Sequence, residues 1–329
     1  MMIPSPYLLS RRRVLAGLAA LTTVSLAAQE AASPTGLKTL ISPFTSGSSA
    51  DLLARRIAAA AASRFRSVVA VENHPGGSGL LAVQQLIKSP HNGETLLLAN
   101  SGLICNTPLL VKPSKGLNPQ TDLVPVCIVA SAPFFLFAGR QFPAGNLVEL
   151  QSAFANVPEG LSFAANEPGS ANHVAGEVLL RQLKLAALHV PYKNSMQAVI
   201  DVAEGRVQVG VFSWQNLAAL RQSGALRLLA VLANDRLMVA PDVLSVREQG
   251  FGPFTVKGWH GLFAPRDVPA DALREQEQKL LPLLRDRDVT MFIRDIGFAP
   301  DPRGQAASSA FVATEIQRYR ALFETLKLV

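Results

Sequence analysis

Cysteine is nearly missing from this chain: Cys105 and Cys127 are the only two in 329 residues. A multi-disulfide scaffold is therefore excluded, and whether the pair bridges stays open, because a sequence does not supply the Cα separation a bridge requires. Cys127 lies in an apolar strand-like run, Val124–Ala130, where an inert buried thiol is the default. Catalytic signatures are absent too. No G-x-S-x-G elbow occurs, so hydrolase chemistry has no support. His74, His91, His173, His189 and His260 show neither H-x-x-x-H nor H-E-x-x-H spacing, so no metal site is expected. Gly77-Ser78-Gly79-Leu80-Leu81-Ala82 matches the G-x-G-x-x-A form of a dinucleotide fingerprint. Its acidic partner should stand about 20 residues on. The next strand ends instead in Asn100-Ser101, and a nicotinamide-dependent oxidoreductase is only a remote alternative. No catalytic residue and no cofactor are expected. Basic residues lie singly or in pairs without interleaved aromatics, which argues against nucleic acid.

What the chain does have begins at its N-terminus. Arg11-Arg12-Arg13 precede an apolar stretch from Val14 to Ala28. That stretch is short for a span, which needs about 20 apolar residues. A basic segment, a short apolar segment and small residues at Ser25 and Ala27 make a cleavable signal peptide over 1–27. Paired arginines suggest the twin-arginine route, with an ordinary secretory signal as the alternative. Taking Arg11, Arg12 and Arg13 from 31 basic and 24 acidic residues leaves a mild net charge of +4. No later segment is long and apolar enough to cross a membrane, so a soluble periplasmic protein is expected. Removing 27 of 329 residues still leaves more than one core normally holds, and about two domains are expected.

Short apolar runs alternate with amphipathic patterns, which predicts an α/β fold with mainly parallel sheets flanked by helices. Strands are predicted at 37–44, 68–72 and 95–100, with helices at 49–65 and 80–87 between them. The pattern repeats from Leu161: strands at 161–165, 187–191, 207–212 and 226–231, helices at 172–183, 196–203 and 217–222. Two further helices are predicted around 270–284 and 307–325. We place one lobe at 34–134 plus 255–329 and the other at 135–254, so that the chain crosses the hinge twice and the ligand cleft lies between lobes.

Three loops follow a strand and open a helix with small, hydroxyl-bearing residues. Such loops gather at the carboxyl ends of strands, where open α/β sheets bind ligands. A helix N-terminus there offers unpaired N–H groups and a positive dipole end, which suit a carboxylate. The first loop supplies Phe44, Thr45, Ser46, Gly47, Ser48, Ser49 and Asp51 as candidate ligand-binding residues. Asp51 has two readings: an ammonium or amide contact, or a capping box with Ser48. The second loop supplies Gly169, Ser170, Asn172 and His173, with His173 either a ligand group or a satisfied structural histidine. Ser195, the expected cap of the third loop beside Lys193, Ser101 after the third strand, and Phe212 complete the set.

These segments together resemble a known family. Pro43-Phe44 with its small-residue loop and Asp51, then Glu72-Asn73-His74-Pro75-Gly76-Gly77-Ser78-Gly79, then Gly93-Glu94-Thr95-Leu96-Leu97-Leu98, stand in the order seen in the receptors of tripartite tricarboxylate transporters, the Bug-type solute-binding proteins. Gly169-Ser170-Ala171-Asn172-His173-Val174-Ala175-Gly176-Glu177, Val190-Pro191-Tyr192-Lys193 and Gly258-Trp259-His260-Gly261-Leu262-Phe263-Ala264-Pro265 complete the likeness, over about 37–325. The resemblance implies a type II periplasmic binding protein, a monomer without catalysis, that closes on a small organic acid or amino-acid-like ligand held by its carboxylate. It also implies membrane permease subunits as partner; a membrane sensor is the alternative. The chain departs from the pattern at Ser46-Gly47-Ser48, at Asn194 and at Phe212-Ser213 followed by Trp214. The aromatic pair either favours a flatter ligand or packs between the lobes.

Overall fold

The computed structural model describes residues 36–110, 116–154, 161–254 and 256–327. The signal-peptide reading of 1–27 therefore lies outside the described residues.

The chain begins with a βαβαβ run. Strand β1 (Thr39–Ser42) leads into helix α1 (Ser49–Phe65), β2 (Ala70–Asn73), helix α2 (Leu80–Lys88) and β3 (Thr95–Asn100). Helix α1 starts where Ser48 accepts a hydrogen bond from the Asp51 N–H and stops where Arg66 turns left-handed at φ 51. After β3 comes a π-helical turn, Gly102–Asn106, then the short helices α3 (Thr107–Leu110) and α4 (Pro119–Asp122). Strand β4 (Leu123–Ala132) follows. Only Pro133 separates β4 from β5 (Phe134–Gly139), which belongs to another sheet.

The second lobe repeats the plan. Helix α5 (Leu147–Phe154) precedes β6 (Leu161–Ala165), α6 (Ala171–Gln182), β7 (Ala187–Pro191), α7 (Ser195–Ala203), β8 (Val209–Ser213), α8 (Trp214–Gln222) and β9 (Leu226–Leu232). The chain then returns to the first sheet through β10 (Gly258–Pro265), helices α9 (Ala270–Leu284) and α10 (Arg287–Asp295), edge strand β11 (Ala299–Arg303) and the long helix α11 (Gln305–Leu326).

The sheet orders are β11-β4-β10-β3-β1-β2 and β7-β6-β8-β5-β9. In each, the first strand of the βαβαβ run pairs in parallel with the second and third. An antiparallel strand then adjoins the third: β10 beside β3, and β5 beside β8. The two-lobed α/β architecture stands, and the sheets are mixed more than mainly parallel. The reason is topological, because strands entering from the opposite lobe run against their neighbours. All eight residues of β10 are buried, the continuous apolar run of a strand covered on both faces. One core cluster joins Leu37, Leu53, Ile57, Val126 and Leu280 on one face of the first sheet. Another draws on both sheets, with Leu97, Ile128, Leu136, Phe163 and Trp259.

Each sheet thus has a switch point at the carboxyl end of its central strand, beside β1 and β3 in one and β6 and β8 in the other. Open α/β sheets bind ligands there.

Candidate functional site

A cavity of about 670 Å³ lies between the lobes, walled by the loops from both switch points. That volume suits a small molecule. Three helices begin at its wall. Helix α2 starts after Gly79, α6 after Ser170 and α8 after Ser213, and none of these caps has a side chain bonded to the first N–H groups. The turn before α2 has positive φ at Gly76, Gly77, Ser78 and Gly79, of 114, 56, 53 and 89°. This tight turn is closed by the Gly79 N–H donating to the Gly76 carbonyl at 3.0 Å, and a turn of this kind can present its remaining N–H groups to an anion. A side chain at Gly79 would also come within 2.9 Å of Leu103, so the close approach needs glycine.

Three of the four serines that line the cavity share one arrangement. Ser170 Oγ donates to Asn172 Oδ1 at 2.9 Å, Ser195 Oγ to Asn166 Oδ1 at 3.1 Å, and Ser213 Oγ to Asn216 Oδ1 at 3.0 Å. Asn172 Nδ2 then donates to the Val211 carbonyl. The amides of Asn166 and Asn216 keep their NH2 groups as donors, and so does Asn100, whose Oδ1 accepts from the Leu103 N–H. Ser195 and Ser213 each fix an amide with its oxygen turned back and its NH2 available, so the wall is rich in donors. Among the described residues that line it, Glu167 is the only charged one and no lysine or arginine appears.

Of the sequence-predicted residues, Phe44, Gly169, Ser170, Asn172, Ser195 and Phe212 come together at this cavity. The rest do not line it. Thr45, Ser46 and Gly47 are exposed, Ser48 and Ser49 half-buried. Asp51, 1% exposed, is turned inward: its Oδ2 accepts from the Gly47 N–H and Arg55 Nε, both at 2.9 Å, and its Oδ1 from Asn73 Nδ2 at 2.8 Å. Burial pushes this carboxyl up, but the bonds from Arg55, Gly47 and Asn73 outweigh it and hold its pKa below the usual range. Half of the capping box is present: Ser48 Oγ accepts from the Asp51 N–H, but the Asp51 carboxylate takes the Gly47 N–H while the Ser48 N–H goes to the Thr45 carbonyl. Asn73 also donates to the Phe44 carbonyl, which places Phe44 at the cavity.

His173, 3% exposed, lies behind the second loop rather than in the wall. Its Nδ1 accepts from the Gly169 N–H at 2.9 Å, and its ring lies 3.9 Å from that of His189, centroid to centroid. Burial, then the neighbouring His189, push its pKa down to about 4, so the neutral ring holds Gly169 from beneath. Ser101 is buried below the wall between Asn100 and Gly102, which do line it. Lys193 is exposed, and Asn194 caps α7.

The aromatic pair divides. Phe212 lines the cavity and meets Phe137 edge-on. Trp214 tilts against Phe135 and packs on Gly297 of the other lobe. Cys105 and Cys127 are free and buried. Burial pushes the Cys127 thiol up to about 12, so it is unreactive.

Sequence reasoning missed Gly76–Gly79 as a wall and did not select Asn100, Asn106, Asn166, Ser213 or Asn216. The glycine cluster was the available signal for the turn. For the asparagines there was little, because their role rests on which amide atom a serine from another position occupies.

Two α/β lobes with paired switch points and a donor-lined cavity between them define a two-lobed solute-binding protein. The chain belongs to the tripartite tricarboxylate transporter family receptors, whose family model matches residues 53–328. It is similar to the protein BugT of Bordetella pertussis, 29% identical over 280 residues, covering 85% of this chain and 86% of BugT. Among solved structures it resembles R. palustris Rpa4515 with adipate, at 28% identity and TM-score 0.79, covering 89% of this chain and 98% of that one. It also resembles MatC (Rpa3494) from Rhodopseudomonas palustris with bound malate, at 28% identity and TM-score 0.73, covering 88% and 99%. Among the described residues, no helix is long and apolar enough to cross a membrane, and no group of three or more His, Cys, Asp or Glu could hold a metal ion.

Proposed function

We propose that this protein is an exported periplasmic receptor that captures a small organic anion by a carboxylate and presents it to the permease of a tripartite tricarboxylate-type transporter. The carrying observation is the donor-rich wall: three helix N-termini without side-chain caps and the NH2 groups of Asn100, Asn166 and Asn216 around one cavity. Such a wall stabilises negative charge through fixed dipoles. The adipate of Rpa4515 and the malate of MatC support the same ligand class. The Gly77 and Ser78 N–H groups, the Asn172 N–H at the start of α6 and the NH2 groups of Asn100, Asn166 and Asn216 are the donors assigned to the carboxylate. Phe44 and Phe212 flank the carbon skeleton. The described residues of 34–134 with 255–329 are assigned to one lobe and those of 135–254 to the other. They hinge at Pro133 and the return crossing, and ligand contacts to both favour the closed state.

The test is a thermal-unfolding screen of the protein without residues 1–27 against adipate, malate, citrate, glutamate and nicotinamide nucleotides. Mass action adds about 2.7 kcal/mol of stability at a hundredfold excess over Kd. A raised midpoint with one or more carboxylates is the expected outcome. Midpoints raised only by nucleotides would overturn the receptor reading.

A further inference from the structure

One residue of the cavity wall breaks the donor pattern. Asn106 closes the π-helical turn Gly102–Asn106, is 2% exposed and lines the cavity. Its Nδ2 donates to the Gly169 carbonyl at 2.7 Å, a buried bond between the two lobes. Because a carbonyl only accepts, this bond fixes which way the amide faces. Asn106 Oδ1 is left without any hydrogen-bond partner in the protein. A buried amide oxygen left unpaired is costly, and native proteins normally supply a partner. The turn itself is held in place, since Thr107 Oγ1 lies 3.2 Å from both the Ser78 and Gly102 carbonyl oxygens. A π-helical turn is an uncommon, strained form that recurs at functional sites. Asn106 therefore stands on a braced backbone amid a wall of donors, with its Oδ1 buried and unpaired.

We propose that Asn106 is a specificity-determining residue that accepts a hydrogen bond from the ligand, so that the preferred solute carries a hydroxyl or amino donor near its carboxylate. This rests on the carboxylate reading above and narrows it: a plain diacid satisfies the donors of the wall and leaves Asn106 Oδ1 unpaired, whereas a 2-hydroxy or 2-amino acid satisfies both. Sites built to pair with a substrate OH or NH discriminate strongly against analogues that lack it. The same residue joins the lobes through Gly169, so ligand recognition and closure meet at one side chain.

The experiment measures Kd by calorimetry for matched acids: succinate against malate, and adipate against 2-hydroxyadipate and 2-aminoadipate. The dimethyl esters of all five are measured alongside. The donor-bearing member of a set should bind about tenfold more tightly than its parent, one buried hydrogen bond's worth. In Asn106→Leu the preference should fall to within about twofold while the parent acid still binds. Asn106→Asp keeps an acceptor and should retain the preference for the amino acid, which separates loss of the acceptor from loss of the fold. Equal affinities within each set for the unaltered protein overturn the assignment and leave the carboxylate reading intact. Esters that bind as tightly as the acids overturn the carboxylate reading, and the ratio of donor-bearing to plain esters still decides the role of Asn106. Binding by none of the ten compounds overturns both.

Discussion

Asp51 accepts three hydrogen bonds at the start of α1, and each comes from a different part of the chain: the loop, the helix itself and β2. A carboxylate so surrounded orders the loop rather than reaching for solute. Asp51→Ala leaves the Gly47 N–H, Arg55 and Asn73 without their acceptor, and should destabilise the protein by about 2–3 kcal/mol in chemical denaturation. Thr45→Ala and Ser46→Ala, on the exposed rim, should stay within about 0.5 kcal/mol. Both readings of Asp51 were open from the sequence, and so were those of His173. The Ser48–Asp51 spacing carried one of them. The other depended on Gly169 and His189, which come together only through the strand order. Charged and titratable types advertise chemistry in a sequence, and here two of them support the backbone of the site from outside the cavity.

At the scale of elements, the helices that follow the strand-end loops differ in their caps. Helix α1 is closed by Ser48, and α7 by Asn194, which accepts from the Met196 and Gln197 N–H groups. Helices α2, α6 and α8 carry no side-chain cap bond. Periodicity located several elements to the residue: α1 at 49–65, β3 at 95–100, β6 at 161–165, β7 at 187–191 and α9 at 270–284. It did not find α5, α10, the π-helical turn or β11, whose sequence Ala299-Pro300-Asp301-Pro302-Arg303 contains two prolines. Proline at a sheet edge is permitted, but it reads as a loop. The second loop depends on Gly169, with φ 79 and the Leu110 side chain 1.9 Å from where a Cβ would stand. Gly169→Ala should destabilise the protein by about 1–3 kcal/mol and shrink the carboxylate-induced rise in unfolding midpoint, because it strains the turn and forces the lobes apart.

At the scale of the whole molecule, acidity is the expected weak point. Burial lowers the pKa of His173 and of His260 to about 4, and lowers that of His189. An unfolded imidazole titrates near 6.5, so below that pH the unfolded chain takes up protons that the folded one refuses. Their stabilisation is therefore complete above about pH 6.5 and is lost progressively as pH falls towards about 4. Between pH 7 and pH 5, His173 and His260 should each remove on the order of 1–2 kcal/mol, seen as a falling unfolding midpoint. His91, raised by its bond to Asp267, acts in the opposite sense, present below its unfolded pKa and lost as pH rises. Glu177 and Glu315, raised by burial, favour the folded state only in more acid solution. Replacing His173 with glutamine should flatten the decline, and an unchanged slope would show that the buried imidazoles do not govern it.

The wall of the cavity draws its positive potential from peptide dipoles and amide groups rather than from lysine or arginine among the described lining residues. Mobile surface charges attract ligands over distances that dissolved ions cut short, with a screening length of about 8 Å at physiological ionic strength. Fixed dipoles inside a closed cleft act at contact range, where few ions enter. A receptor built this way gives up long-range steering of its solute. In exchange its grip depends little on salinity.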